Sequence, residues 1–301
     1  GTARTFSACV TAARVAKSVQ CCSAADAGLA PMTGLDKGLL RRSLGGVPTS
    51  KLEKLDVFES VASTNSYLLA EPTPAAGGIR VAVADQQTSG RGRHSNRWLS
   101  PPGAGIYLSL AYTFAGQPAE LPALTLALGV GIVEVMRDLN VDGVKLKWPN
   151  DIVALEGKLG GVLTEARSKS GDGITVVAGV GLNVDLPETL DVGAGSDWAQ
   201  RAVDLKSLLA NCPERELIAA ALIASLFASM ATFEERGFAA FANAWQRHDW
   251  LLGRSVNVAM SNRRVAGVAA GVDADGALLL DTTEGRTRVI NGSIILSGTR
   301  E

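Results

Sequence analysis

Between Leu55 and Trp250 the spacing of apolar residues switches repeatedly between a two-residue and a 3.6-residue period, which predicts short strands interleaved with amphipathic helices. Val57-Phe58-Glu59-Ser60-Val61 reads as a strand. Ser63-Thr64-Asn65 then stands where a short helix through Leu69 needs an N-cap. Val81 to Ala84 is a buried strand that feeds a polar loop, Gln87 to Trp98. After the turn Pro101-Pro102-Gly103-Ala104-Gly105, Ile106 to Phe114 returns to strand spacing. Pro122 opens a helix with Leu124, Leu128, Gly131, Ile132, Val135 and Leu139 on one face. Val144 to Trp148 is a strand, Ile152 to Leu155 and Leu159 to Ala166 form a hairpin about Glu156-Gly157-Lys158, and Ile174 to Val184 is a further strand. Two helices follow, roughly Glu214 to Arg236, stopped by Gly237, and Phe238 to His248, with Phe238, Phe241 and Trp245 on one face.

Beyond Gly253 the texture changes. Short strands (Val256 to Met260, Arg264 to Val272, Ala277 to Asp281, Thr287 to Ile290) are divided by Asn, Asp and Gly turns, and such close spacing predicts a small β-barrel. Hairpins flanked by helices argue for an α+β fold rather than a doubly wound sheet. The expected organisation is an N-terminal extension over 1–45, read as a mobile tail, a main domain over 46–250 and the barrel over 251–301. The extension is rich in Ala, Ser, Thr and Arg with no acid before Asp26, a composition shared by organellar transit peptides, and Met32 is an alternative start.

Composition removes several function classes. Thirty acids against 29 bases leave a net charge of -1, so no bulk field draws the chain to nucleic acid or an anionic membrane. Two histidines, His94 and His248, are too few for a histidine metal site, and His94 in its basic loop reads as solvent-facing. Cys9, Cys21, Cys22 and Cys212 lack metal-ligand spacing and fit a reducing compartment, hence a cytoplasmic setting. The apolar run Leu121 to Val133 is too short to span a bilayer, and no membrane anchor is expected.

Four stretches carry candidate chemistry. In Gly90-Arg91-Gly92-Arg93, between Gln87 and Trp98, two glycines allow unusual dihedrals and close approach, and two arginines at alternate positions can point together at an anion; a basic surface turn fits the same residues. Lys147-Trp148-Pro149-Asn150-Asp151 ends a strand and is followed by Lys158-Leu159-Gly160-Gly161, where the glycines distinguish Lys158 from an ordinary surface lysine. In Gly179-Val180-Gly181-Leu182-Asn183, strand alternation puts Gly179, Gly181 and Asn183 on one face, leaving a groove for a flat bicyclic ligand or for a close helix contact. Ser63-Thr64-Asn65 can cap a helix and meet a ligand at once. No GxxxxGK[ST] phosphate cradle and no GxGxxG occurs, so any ATP site lacks a P-loop.

In this order and at these gaps, Ser-Thr-Asn, Gln-Thr-Ser-Gly-Arg-Gly-Arg, Lys-Trp-Pro-Asn-Asp, Lys-Leu-Gly-Gly and Gly-Val-Gly-Leu-Asn resemble the biotin protein ligase family, over roughly Leu55 to the C-terminus. The resemblance implies a mixed-sheet catalytic domain of the biotin/lipoate ligase type with an SH3-like C-terminal barrel. It also implies a two-step reaction: biotin and ATP, with Mg²⁺ carried by the nucleotide and no metal site assigned to the protein, give biotinyl-AMP, and a lysine of a biotin carboxyl carrier domain displaces AMP. Lys158, Arg91 and Arg93 are then the expected electrostatic catalysts. Ser63, Thr64, Asn65, Gln87, Gly90, Arg91, Gly92, Arg93, Trp98, Lys158, Gly161, Gly179 and Gly181 are expected at biotin or its adenylate, and Asn150, Asp151 and Asn183 at ATP.

The family's loop commonly carries a glycine and a further basic residue where Ser95 and Asn96 stand here; Arg97 is the neighbouring charge. Some members also repress a biotin operon through an N-terminal helix-turn-helix. Residues 1–45 show no pair of amphipathic helices with a basic face, so a ligase without DNA binding is expected, with homodimer pairing left open. A lipoate or octanoate ligase is the other alternative, and the Gly-Arg-Gly-Arg loop argues against it.

Overall fold

The computed structural model describes residues 34–168, 173–188, 202–260 and 263–296. A short helix, α1 (Lys37–Ser43), opens the described chain, capped by the Asp36 carboxylate, which accepts from the Gly38 and Leu39 amides. Strands β1 (Leu52–Val61), β2 (Ile79–Gln87), β3 (Gly105–Phe114), β4 (Lys145–Lys147), β5 (Asp151–Ala154), β6 (Gly157–Ser168) and β7 (Ile174–Asn183) form one seven-stranded sheet in the order β1-β2-β3-β7-β6-β5-β4. β1 and β2 are parallel and the other neighbours antiparallel, so the sheet is mixed. A parallel pair needs a crossover, and α2 (Thr64–Ala70) provides it.

The two faces of this sheet differ sharply. On one, Val81 and Val83 of β2, Leu108 and Leu110 of β3, and Val176, Ala178 and Val180 of β7 join the main core beneath α3 (Leu124–Asp138) and α5 (Arg215–Arg236). The intervening residues point the other way. There Ala82, Ala111 and Val177 meet Leu68 of α2 in a small cluster edged by Phe58, Tyr67 and Leu69, and the rest of that face is open for a site. A one-turn helix, α4 (Leu205–Leu208), and α6 (Ala242–His248) complete the helical set. By length and composition α5 is apolar enough to cross a membrane, but half of that window is buried within the fold, as in a core helix.

The C-terminal strands β8 (Ser255–Ala259), β9 (Arg264–Val272), β10 (Leu278–Thr282), β11 (Gly285–Val289) and β12 (Ser293–Leu296) form an antiparallel sheet in the order β11-β10-β9-β8-β12. The last strand returning to pair with the first is the arrangement of a small, partly open barrel. Trp148, 2% exposed, donates its indole N–H at 3.0 Å to the carbonyl of Gly276, in the turn between β9 and β10. Arg254 makes two 3.0 Å bonds to Glu156.

Three expectations need correction. Residues 34–45 are no tail: Leu40 is fully buried in the core and α1 packs on α5, so the folded domain begins upstream of residue 46; residues 1–33, with Met32, Cys9, Cys21 and Cys22, lie outside the described residues. The β5–β6 turn is centred on Leu155 and Glu156, both at positive φ, so Gly157 and Lys158 already belong to β6. β12 was not foreseen, because Ser293-Ile294-Ile295-Leu296 has no alternation to mark it and follows directly on the Asn291-Gly292 turn.

Candidate active site

The open face of the sheet carries a cavity of about 480 Å³. Every site residue singled out in the sequence lines it except Gly90, which borders an adjoining space of about 790 Å³ over the loop. The floor is β7. Side chains at Gly179 and Gly181 would point into the cavity, as strand alternation predicts, but the space is shared: a Cβ on Gly179 would lie 2.2 Å from Asn65 Oδ1, and one on Gly181 2.5 Å from the Trp98 indole. Both glycines are therefore required by close approach. Asn183, at the end of the row, donates to the Lys158 and Val203 carbonyls at 3.2 and 3.1 Å, so its amide braces the backbone that carries Lys158.

The N-terminus of α2 forms one wall. Ser63 caps the helix by accepting from the Ser66 amide, and Thr64 and Asn65 are buried at 3% and 4% exposure. Gln87 Oε1 accepts from the Thr64 amide at 2.9 Å and lies 3.1 Å from its hydroxyl. Ser109 of β3 places its hydroxyl 2.7 Å from Thr64 Oγ1 and 2.5 Å from Asn65 Oδ1. Thr64 donates its one hydroxyl proton to Gln87 Oε1, and the Ser109 hydroxyl shares its own between Asn65 Oδ1 and Thr64 Oγ1. The Asn65 amide is thereby fixed, with Nδ2 donating to Glu165 Oε2 at 2.8 Å and to the Leu163 carbonyl at 3.3 Å.

The opposite wall concentrates charge. Lys158 Nζ is 2.6 Å from Asp151 Oδ1 and 5.3 Å from the centre of the Trp98 ring. Lys147, 3% exposed in its side chain, approaches the other Asp151 oxygen at 3.8 Å. A carboxylate between two lysines orients both toward the cavity and offsets part of the cost of burying them. Asn150 donates to the Val162 carbonyl at 3.0 Å and holds this corner to β6.

The loop closes the third side with an internal hairpin: Gly92 N–H donates to the Asn96 carbonyl at 2.7 Å, Trp98 N–H to the Gly90 carbonyl at 3.0 Å, and Arg91 pairs across from Arg97. Of the two reasons the sequence offered for the glycines, unusual dihedrals and close approach, the structure shows close approach at Gly90, to the loop's own backbone, while a Cβ on Gly92 would make only ordinary contact. Neither takes a left-handed conformation; that falls to His94 at φ 53, while a Cβ on Gly90 would meet the Trp98 carbonyl at 2.5 Å. Nor do the two arginines act as a parallel pair, because a 3₁₀ turn at Arg93–Ser95 breaks the alternation. Arg91 donates to Glu165 at 2.7 Å, whereas Arg93 reaches the C-terminal barrel, at 2.7 Å from Asn291 Oδ1 and 3.4 Å from the Gly292 carbonyl. Burial pushes the Arg93 guanidinium below the usual arginine range, and the Asp151 charge opposes it.

Sequence reasoning missed Ser109, Glu165 and Asn291, and gave Lys147, the first residue of the Lys-Trp-Pro-Asn-Asp stretch, no role of its own. Two of these were recoverable from period: Ser109 lies between Leu108 and Leu110, which face the core, and Glu165 follows Gly161 at two-residue steps on the site face. Asn291 carried no such signal, since its role depends on how the barrel docks.

A floor of backbone, a wall of fixed amides and hydroxyls, and five cationic side chains, Arg91, Arg93, Arg97, Lys147 and Lys158, suit a polar bicyclic ligand whose anionic end meets a phosphate. Comparisons with known proteins agree. The profile of the biotin/lipoate A/B protein ligase family matches residues 57–183, and that of the biotin protein ligase C-terminal domain matches residues 251–297. A biotin--[acetyl-CoA-carboxylase] ligase of Mycobacterium tuberculosis is 33% identical over 270 residues, 87% of this chain and 95% of that protein. The bifunctional ligase/repressor BirA of Escherichia coli is 34% identical over 225 residues, 75% of this chain and 68% of that protein. The solved structure of biotin protein ligase from Aquifex aeolicus in complex with biotin and ATP superposes with a TM-score of 0.67 at 28% identity, covering 80% of this chain and 97% of that one. With both domains matched and the Mycobacterium tuberculosis ligase alike over nearly its whole length, the chain belongs to the biotin protein ligase family.

Proposed function

We propose that the chain activates biotin with ATP and transfers it to one lysine of a carboxylase's biotin carboxyl carrier domain. In the first step a biotin carboxylate oxygen attacks the α-phosphorus and pyrophosphate leaves. In the second, the carrier amine attacks the acyl carbonyl, AMP leaves and an amide forms. Neither step needs a nucleophile from the protein; both need two anions brought together and their charge neutralised.

The floor and the α2 wall, with Gly179, Gly181, Ser63, Thr64, Asn65 and Gln87, take the biotin rings. Lys158, Arg91 and Arg93 face its carboxylate and the α-phosphate, with Trp98 and Gly92 as cover. The nucleotide lies toward Asn150, Asp151 and Asn183, the last through its carbonyl oxygen, since its amide is committed to the backbone. Magnesium arrives with the triphosphate. Among the described residues lining the main cavity Asp151 is the one carboxylate, and because two lysines hold it, it suits a contact to nucleotide-borne magnesium better than a resident metal site.

The observation that carries this reading is the Lys158–Asp151 pair at 2.6 Å, which fixes an ammonium where the biotin groove meets the nucleotide side. The setting is cytoplasmic, nucleic acid is not a partner, and pairing as a homodimer remains compatible; the near-neutral charge supports the second point.

The test is incorporation of labelled biotin into a purified carrier domain with ATP and Mg²⁺, beside an octanoate control and binding to biotin-operator DNA. Lys158→Ala is expected to lower kcat about 10²- to 10³-fold, the range for removing one preorganised charge-stabilising group. Transfer of octanoate, no labelling by folded wild type, or specific operator binding would each overturn the corresponding part.

A further inference from the structure

We propose that Glu165 is a positioning residue of this site: its carboxylate sets Arg91 over the biotin groove and ties the loop to the groove wall through Asn65. The inference rests on the ligase reading above. One oxygen, Glu165 Oε2, accepts from Arg91 Nη2 at 2.7 Å and from Asn65 Nδ2 at 2.8 Å. It therefore joins a buried groove residue to a half-exposed loop residue by two charge-assisted bonds.

The placement follows from the strand. Gly161, Leu163 and Glu165 share the site face of β6, and Glu165 pairs across from Val177 of β7, two residues from Gly179. The carboxylate thus stands at the rim of the groove, where it borders the space over the loop together with Arg91 and Arg97.

Three consequences distinguish this from an ordinary surface ion pair. First, Arg91 and Arg97 are direct cross-strand neighbours in the loop hairpin, and like charges in that position repel. Glu165 offsets that repulsion on the Arg91 side, so the hairpin can form before any substrate anion arrives. Second, a guanidinium has five N–H donors, and holding it by one Nη leaves the others for a second, anionic partner in the cavity. Third, the same oxygen fixes the Asn65 amide, whose Oδ1 sits over Gly179 in the groove. Glu165 is thus expected to govern how well biotin is held rather than how fast its carboxylate reacts once held.

The test is Glu165→Gln, which keeps the shape and an acceptor oxygen for Asn65 but removes the charge. Biotin binding by calorimetry without ATP and the biotin KM and kcat of carrier labelling are measured in wild type, E165Q, R91A and the double variant. The expected result is a rise of about five-fold in Kd and KM, with kcat within about two-fold, as befits a partly exposed ion pair. In the R91A background the same substitution should add less than about two-fold, since its effect acts through Arg91. An unchanged Kd, a fall confined to kcat, or an undiminished effect without Arg91 would overturn the proposal. If E165Q melts well below wild type, Glu165→Asp, which withdraws the charge by one methylene, carries the same comparison. Wild type that neither binds nor transfers biotin would instead refute the ligase reading.

Discussion

The groove floor and the loop above it solve the same problem, holding a ligand, by opposite means. β7 is paired on both sides from Ile174 to Leu182, with β3 and with β6, and Gly179 and Gly181 are closed in by Asn65 and Trp98. Its shape is set by ladder hydrogen bonds that exist only in the folded sheet. The loop has a two-rung hairpin of its own, is tied at its base by the Thr88 and Ser89 amides donating to the Val61 and Ala62 carbonyls, and beyond that base hangs on side chains: Arg91 on Glu165, Arg93 on Asn291, Gln87 on Ser100. Changes in the floor should therefore abolish binding and cost stability, whereas changes in the loop's supports should alter affinity and leave the fold alone.

The largest effect should come from Gly181→Val. The branched side chain has to enter where the Trp98 indole lies, and neither a paired strand nor a packed indole yields easily. Overpacking of this kind costs about 1–3 kcal/mol, and with the groove filled, biotin affinity should fall by more than about ten-fold. Calorimetric titration and a thermal melt on the same sample decide it. If affinity collapses while the melt is unchanged, the floor is as pliable as the loop and the contrast fails.

The contrast also shows how much of the molecule was legible in the sequence. Strand and helix order, the site face of β7 and the motif set were readable because they are periodic and local: Val177 to Asn183 alternates, Ser63-Thr64-Asn65 caps, and Gly-Arg-Gly-Arg stands out by composition. What was not readable depends on contacts across the chain. The sequence put Arg91 and Arg93 on one side at alternate positions, but Glu165 and Asn291 draw them to different supports 74 and 198 residues away in sequence. α1 was missed because Asp36 to Ser43 holds too few apolar positions for a period, although Leu40 is fully buried.

A second, smaller effect tests how the barrel is attached. Trp148→Phe keeps the buried ring but removes the indole N–H donated to Gly276, leaving a carbonyl without that partner. The acceptor is part-buried, so losing its donor costs about 0.5–1.5 kcal/mol and the melting temperature should fall by a few degrees. Because Arg93 is held by the same barrel, the ATP KM should rise with it. A lowered melt with an unmoved KM would separate barrel docking from the loop.

The smallest expected effect is the most informative about the loop. Asn291→Ala removes the 2.7 Å bond to Arg93 and nothing else that the Asn291 side chain is seen to make. Arg93 keeps its weaker contact to the Gly292 carbonyl at 3.4 Å and its charge, so it should still reach the nucleotide side, but from a broader set of positions. A single hydrogen bond at a partly exposed site contributes about 0.5–1.5 kcal/mol, which corresponds to a rise in ATP KM of about two- to ten-fold. The melt should stay within a degree or two, since the barrel remains anchored by Trp148 and by Arg254 on Glu156. Steady-state labelling of the carrier at varied ATP and saturating biotin measures it. If instead the biotin KM moves and the ATP KM does not, Arg93 works on the same anion as Arg91, and the loop offers one charged face after all.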